Sequence, residues 1–115
     1  MRKPDISDGD RLLYIQDALQ FILLHTNIAE TDFYKDEVLK RAVVRDLEVI
    51  GEAANYLSKA LKMRFYKVPW QQIIATRHRI IHEYFDVNYQ TVWAIIKNDL
   101  PILKEAIQHI LAEIK

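Results

Sequence analysis

The chain contains no cysteine, two glycines and three prolines in 115 residues. Without cysteine there can be no disulfide, thiolate zinc site, iron–sulfur cluster or cysteine nucleophile. The same absence weakly favours a reducing compartment, so the cytosol is the expected location. Two glycines cannot build a phosphate-binding glycine loop or a dinucleotide-binding fingerprint. Scarce Gly and Pro also argue against an all-β fold, which needs many tight turns. No apolar run approaches the roughly 18 residues of a spanning helix, and the opening MRKPDISDGD has no signal-peptide pattern. What remains is an ordinary globular composition, 50% hydrophobic and 28% charged, of a size that folds as one domain over residues 1–115.

A further absence is local. Lys plus Arg and Asp plus Glu number 16 each, yet residues 53–82 contain no acidic residue. That stretch holds Lys59, Lys62, Arg64, Lys67, Arg77 and Arg79, with His78 and His82. Such a run can attract an anion such as a phosphate backbone, or its side chains can pair with acids brought from other segments.

Apolar residues recur with a helical period throughout. Leu12, Ile15, Leu19 and Ile22 mark a first helix, with Ser7 or Asp8 as its cap and an end near Thr26. Val43, Leu47, Ile50, Ala54, Leu57 and Leu61 mark a second, starting at Asp32 or Asp36. Beside that stripe, Arg41, Arg45, Glu48 and Glu52 form a polar row able to self-pair. Gly51 lies inside this helix, where glycine costs up to about 1 kcal/mol relative to alanine; a close helix crossing would explain it. A third segment starts at Pro69 and runs to Ile81. The last helix holds one stripe from Tyr89 to Ile114. Pro101 should kink or break it, with Asp99 capping the second half. Leu13, Phe21, Leu23, Trp93, Ile95 and Ile102 fall off the main stripes, which suggests a second buried face and a homodimer or larger assembly; the alternative is a thick bundle that buries wide faces within one chain. The expected fold is all-α, a compact antiparallel bundle of four to five helices that dimerises.

The chemistry concentrates in Arg77, His78, Arg79, Ile80, Ile81, His82, Glu83 and Tyr84. His78 and His82 stand at the i, i+4 spacing of a two-histidine metal pair, but spacing supplies no third ligand and the two arginines would repel a dication. Alternatively, an imidazole can take a proton from a ribose 2′-hydroxyl near neutral pH, and a guanidinium can hold the phosphate. Arg77 and His82 are those two groups. Five residues apart on an ideal helix, they point about 140° apart. They converge only if the helix ends near His82 or if two chains share a cleft. A third reading is structural, with a histidine closing a helix end and arginines on its surface.

The string R-x4-H-x-Y at Arg77, His82 and Tyr84 resembles the signature of the HEPN superfamily, and more closely that of HepT toxins. AVVRDLEVIGEAANYLS (42–58), VPWQQIIATRHRIIHEYFDVNYQTVW (68–93) and NDLPILKE (98–105) resemble three family segments in order. The resemblance implies a dimerising helical bundle that brings two copies of the motif to one cleft. It implies a metal-independent endoribonuclease without a cofactor, acting as the toxin of a prokaryotic toxin–antitoxin pair. Arg77 and His82 would be catalytic, with His78 and Arg79 supporting. Tyr84 matches the tyrosine that the minimal nucleotidyltransferase antitoxin can adenylylate. His78 stands where the family commonly has Asn or Asp, and Glu83 where it often has Gly. RNA and that antitoxin would be the partners, and no membrane is involved. The competing expectation is a non-catalytic module that docks a nucleotidyltransferase and helps bind its nucleotide or substrate.

Overall fold

Four helical rods surround one core in the computed structural model, which describes residues 7–81 and 86–114. The first rod is α1 (Asp8–His25), capped by Ser7, whose hydroxyl accepts from the Asp10 N–H at 3.0 Å. At its other end Thr26 donates its hydroxyl to the Ile22 carbonyl at 2.7 Å. A short α2 (Glu30–Lys35) leads to α3 (Glu37–Asn55), capped by Asp36, which accepts from the Leu39 N–H at 2.9 Å. The expected second helix therefore starts at the later of its two candidate caps. It also ends earlier than its stripe suggested. The chain turns at Tyr56 and restarts as α4 (Lys59–Arg64), capped by Ser58. Leu57 and Leu61 still reach the core, so the apolar phase survives a break that periodicity could not reveal.

The Ser58 N–H and hydroxyl donate to Asp8 at 2.9 and 2.6 Å, which places the start of α1 beside the end of α3. At the opposite pole Lys97 donates to the Thr26 carbonyl at 2.9 Å. α1 thus runs antiparallel both to α3 and to the final rod.

The third rod is two short helices, α5 (Trp70–Ile74) and α6 (Thr76–Ile80), with Pro69 at the cap and Ala75 at the joint. Thr76 donates its hydroxyl to the Ile73 carbonyl at 2.6 Å, a side-chain bond across the joint. The fourth rod is α7 (Tyr89–Ala94), a π-helical turn (Ile95–Asp99) and α8 (Leu100–Glu113). Asn88 caps it, accepting from the Thr91 N–H at 3.0 Å.

Pro101 does not break this rod. The wide turn just before it takes up the missing N–H, and the helix continues. Asp99 makes no capping bond; its carboxylate goes elsewhere. The extra residue in the wide turn also shifts the helix phase, so that Ile95 and Ile96 are both core residues, 3% and 1% exposed. Ile95 thereby leaves the set that suggested a second face. Phe21, Leu23 and Trp93 also pack against the core, Trp93 with its ring 5.2 Å from Phe33. Leu13 and Ile102 remain, 51% and 68% exposed. Trp70 is core, its indole N–H donating to the Phe65 carbonyl at 3.1 Å. Among the described residues no helix is long and apolar enough to cross a membrane.

Candidate active site

The site begins with Gly51. A Cβ there would lie 3.3 Å from the Ile73 carbonyl oxygen and 3.5 Å from that of Ile74. Glycine lets the backbone of α5 approach α3 this closely without either having to give way, which is the crossing its position in the sequence called for. The approach fixes the α5–α6 rod against α3 and sets the register of everything on it.

Arg77, His78 and Arg79 occupy the last turn of α6, where the helix dipole favours cations. Arg77 and His78 are exposed and Arg79 is half-buried. Arg77 and Arg79 face different neighbours. Arg77 lines a cavity of about 310 Å³ with Ile74 of its own rod and Glu48, Gly51, Glu52 and Asn55 of α3. Arg79 lines a different, mostly apolar cavity of about 340 Å³ between its rod and α8. There it donates to the Asp99 carboxylate at 3.0 Å, both side chains about two-thirds buried. Asp99 is the residue expected to cap α8; it ties the motif helix to the π turn instead. Leu47 borders both cavities.

α6 ends at Ile80. Ile81 is extended and forms a single antiparallel bridge with Val87, and the Asn88 N–H donates to the Ile80 carbonyl at 2.7 Å. The motif therefore straddles a helix end, so the 140° divergence of a continuous helix does not govern it. His82, Glu83 and Tyr84 lie outside the described residues.

Other basic residues of the acid-free stretch have structural work. Lys62 donates to the Ala54 and Asn55 carbonyls at 3.3 and 3.2 Å, closing the C-terminus of α3. Arg64 reaches Glu113 at 3.9 Å. Conversely, no ion pair within the polar row Arg41, Arg45, Glu48 and Glu52 is found among the described residues. The glutamates that periodicity assigned to self-pairing line the Arg77 cavity. The signal was present as Glu48, Gly51, Glu52 and Asn55 at helical spacing around a glycine.

The remaining histidines serve packing. His25 donates through Nδ1 to the Phe21 carbonyl at 2.8 Å, and His109 meets the Phe65 ring edge-on. Among the described residues no three metal-ligating side chains gather.

The all-helical bundle and the sequence it carries match a known class of small domain. The family model for ribonuclease HepT-like proteins matches residues 15–110, and the chain belongs to that family. The protein "Putative RNase TTE0752" of Caldanaerobacter subterraneus subsp. tengcongensis is 46% identical over 88 residues, 76% of this chain and 79% of the relative. "Putative RNase MJ1216" of Methanocaldococcus jannaschii is 34% identical over 106 residues, 92% and 85% of the two chains. "Probable ribonuclease HepT" of Thermococcus cleftensis is 35% identical over 99 residues, 85% and 90%. No solved structure matches the chain.

Proposed function

We propose that this protein is a metal-independent endoribonuclease and the toxin of a toxin–antitoxin pair. Membership of the ribonuclease HepT-like family supports the activity. The observation that carries the mechanism is the placement of Arg77, exposed on the last turn of a helix that ends at Ile80, just before His82 in the chain. Arg77 holds the scissile phosphate and stabilises the charge that builds on it in the transition state. His82 takes the proton of the 2′-hydroxyl, whose oxygen attacks the adjacent phosphorus. The bond to the 5′-oxygen breaks, leaving a 2′,3′-cyclic phosphate. His78, exposed beside Arg77, and Arg79 support the site, Arg79 by anchoring the motif helix to Asp99.

Two chains share one cleft in this reading, and Leu13 and Ile102 are among the exposed apolar residues available for a dimer to cover. A nucleotidyltransferase partner silences the enzyme by adenylylating Tyr84, adding negative charge where RNA phosphate binds.

The test is cleavage of single-stranded RNA in EDTA by wild type and by His82→Ala. Wild type should cut RNA but not DNA of the same sequence, and His82→Ala should be slower by roughly 10²–10⁴-fold. Activity lost in EDTA and restored by zinc, or cleavage of DNA, would contradict the mechanism. A correctly folded wild type that cuts no RNA but binds a nucleotidyltransferase would favour the docking module instead.

A further inference from the structure

The seam between α1 and α3 holds a cleft of about 490 Å³ that the mechanism does not use. Val49 and Ala53 give it a small apolar floor, Tyr14 and Tyr56 stand beside that floor, and Arg45, Glu48 and Glu52 rim it. Both tyrosines are more than half exposed, 53% and 57%. Arg11 lies over the Tyr56 ring, its guanidinium carbon 5.6 Å from the centroid. No hydrogen bond or ring contact occupies Tyr14 among the described residues. Exposed aromatic rings and guanidinium planes around an apolar floor suit a flat base, because splayed bases of single-stranded RNA stack on such groups. Resting on the ribonuclease reading, we propose that this cleft is a base-binding subsite for single-stranded RNA, in which Tyr14 stacks a guanine and Glu52 accepts from its Watson–Crick edge.

The carboxylates choose the base. A subsite for phosphate would present donors, whereas Glu48 and Glu52 repel the backbone and tolerate a neutral base. A carboxylate only accepts. Guanine alone among the four bases offers two adjacent donors on one edge, N1–H and the N2 amine. Adenine and cytosine set their amine beside an acceptor nitrogen, and the uracil N–H lies between two carbonyls. Register then singles out Glu52. Asp8, at the start of α1, accepts from Ser58, just beyond α3, and Arg11 lies over Tyr56. One turn further along each of these antiparallel helices, Tyr14 comes level with Glu52 and Ala53. Glu48 is a turn beyond and half-buried, while Glu52 is exposed and able to meet a base edge. No ion pair engages either carboxylate among the described residues. Arg45, exposed on the rim, supplies a cation for the phosphate that such a base carries. Glu48 and Glu52 also line the cavity that holds Arg77, so a base held here belongs to a nucleotide near the cut. Arg77 takes no part in holding it.

The test is equilibrium binding of a single-stranded alternating guanine–adenine RNA, 2′-O-methylated so that it cannot be cut, against the same strand with inosine for guanine. Inosine lacks only the N2 amine, so wild type should bind it roughly 10- to 100-fold more weakly, the loss of one hydrogen bond to a charged acceptor. Glu52→Gln should bring the two strands to nearly equal affinity while binding the inosine strand as well as wild type or better, because a repelling charge is gone. Tyr14→Ala should weaken both strands alike, by roughly 5- to 150-fold, and Tyr14→Phe should not. Both positions are exposed, so unchanged circular dichroism is expected for every variant. Guanosine 5′-monophosphate should displace the strand only in large excess, since it lacks the neighbouring phosphates. Displacement near equal concentration would assign the cleft to a free nucleotide and overturn the strand site. No preference in wild type, a preference that survives Glu52→Gln, or wild-type binding by Tyr14→Ala would also overturn it. Cleavage of the unmethylated strands separates the two readings. A wild type that prefers guanine yet cuts neither strand refutes the ribonuclease and leaves the subsite standing; one that cuts both strands without preference refutes the subsite alone.

Discussion

Arg77 and Arg79 sit two residues apart on one short helix and look alike in sequence, but they lie on opposite flanks of the α5–α6 rod. The Arg77 flank faces α3 across a cavity walled by two glutamates and an asparagine. The Arg79 flank faces α8 across an apolar cavity, and its guanidinium is committed to Asp99. Residues two apart on a helix point about 200° apart, so one arginine is turned to the solvent-lined groove and the other into the join between rods. The basic cluster is thus divided between two faces of the rod, and counting its charges conceals the division.

That division can be broken at the wall between the flanks. Leu47 is 1% exposed and borders both cavities. Leu47→Ala should cost about 2–5 kcal/mol, because it joins two existing voids that cannot collapse onto each other. Urea unfolding followed by circular dichroism measures it.

Next in size is the crossing that sets the register. Gly51→Leu puts a branched side chain against the backbone of Ile73 and Ile74, which has no flexible end to give way. A loss of about 1–3 kcal/mol is expected, with cleavage falling further than stability because Arg77 moves with its rod. Gly51→Ala should be milder, since the better helix propensity of alanine, up to about 1 kcal/mol, offsets a contact that is only a few tenths of an ångström too close.

Smaller again is the Arg79–Asp99 pair. Its side chains are 33% and 36% exposed, so solvent screens it and a double-mutant cycle should return up to about 1 kcal/mol. A coupling energy indistinguishable from zero would mean that Arg79 does not anchor the motif helix.

The smallest effect lies away from both flanks and gauges the background. Burial holds the Asp46 carboxyl above its ordinary 3.8; nearby Asp17 adds to this, and Arg45 opposes it. The folded state therefore binds that proton more tightly than the unfolded state, and stability from this group falls as pH rises through and above 3.8. Asp46→Asn should raise the melting temperature slightly at pH 7, and the gain should vanish in acid below that value. A gain that persists or grows in acid would reverse the sign.

Much of the bundle was legible in the sequence because its information is periodic. The caps Ser7 and Asp36, the stripes and the meaning of Gly51 are local or repeat with the helix. The failures share one cause, a break or widening that keeps the apolar phase. Leu57 and Leu61 stay buried across the turn at Tyr56, so nothing in their spacing marks it. The π turn adds a residue and buries Ile95, which a fixed 3.6-residue period places on the outside. In the site, the helix end at Ile80 was legible only as one of the two arrangements that the spacing of Arg77 and His82 allows. The partner of Arg79 was not legible, because Asp99 is 20 residues away in the sequence and only the packing of the rods brings the two together.

In the proposed mechanism the arginine facing α3 does the chemistry and the arginine facing α8 holds the helix. Measuring RNA cleavage and melting temperature side by side for Arg77→Ala and Arg79→Ala tests it most directly. Arg77→Ala should slow cleavage by roughly 10²–10⁴-fold with the melting temperature nearly unchanged, while Arg79→Ala should lower the melting temperature by a few degrees, about 4–8 °C per kcal/mol, and retain most of the cleavage rate below it. The opposite pattern, with Arg79→Ala inactive but stable and Arg77→Ala active, would contradict the account.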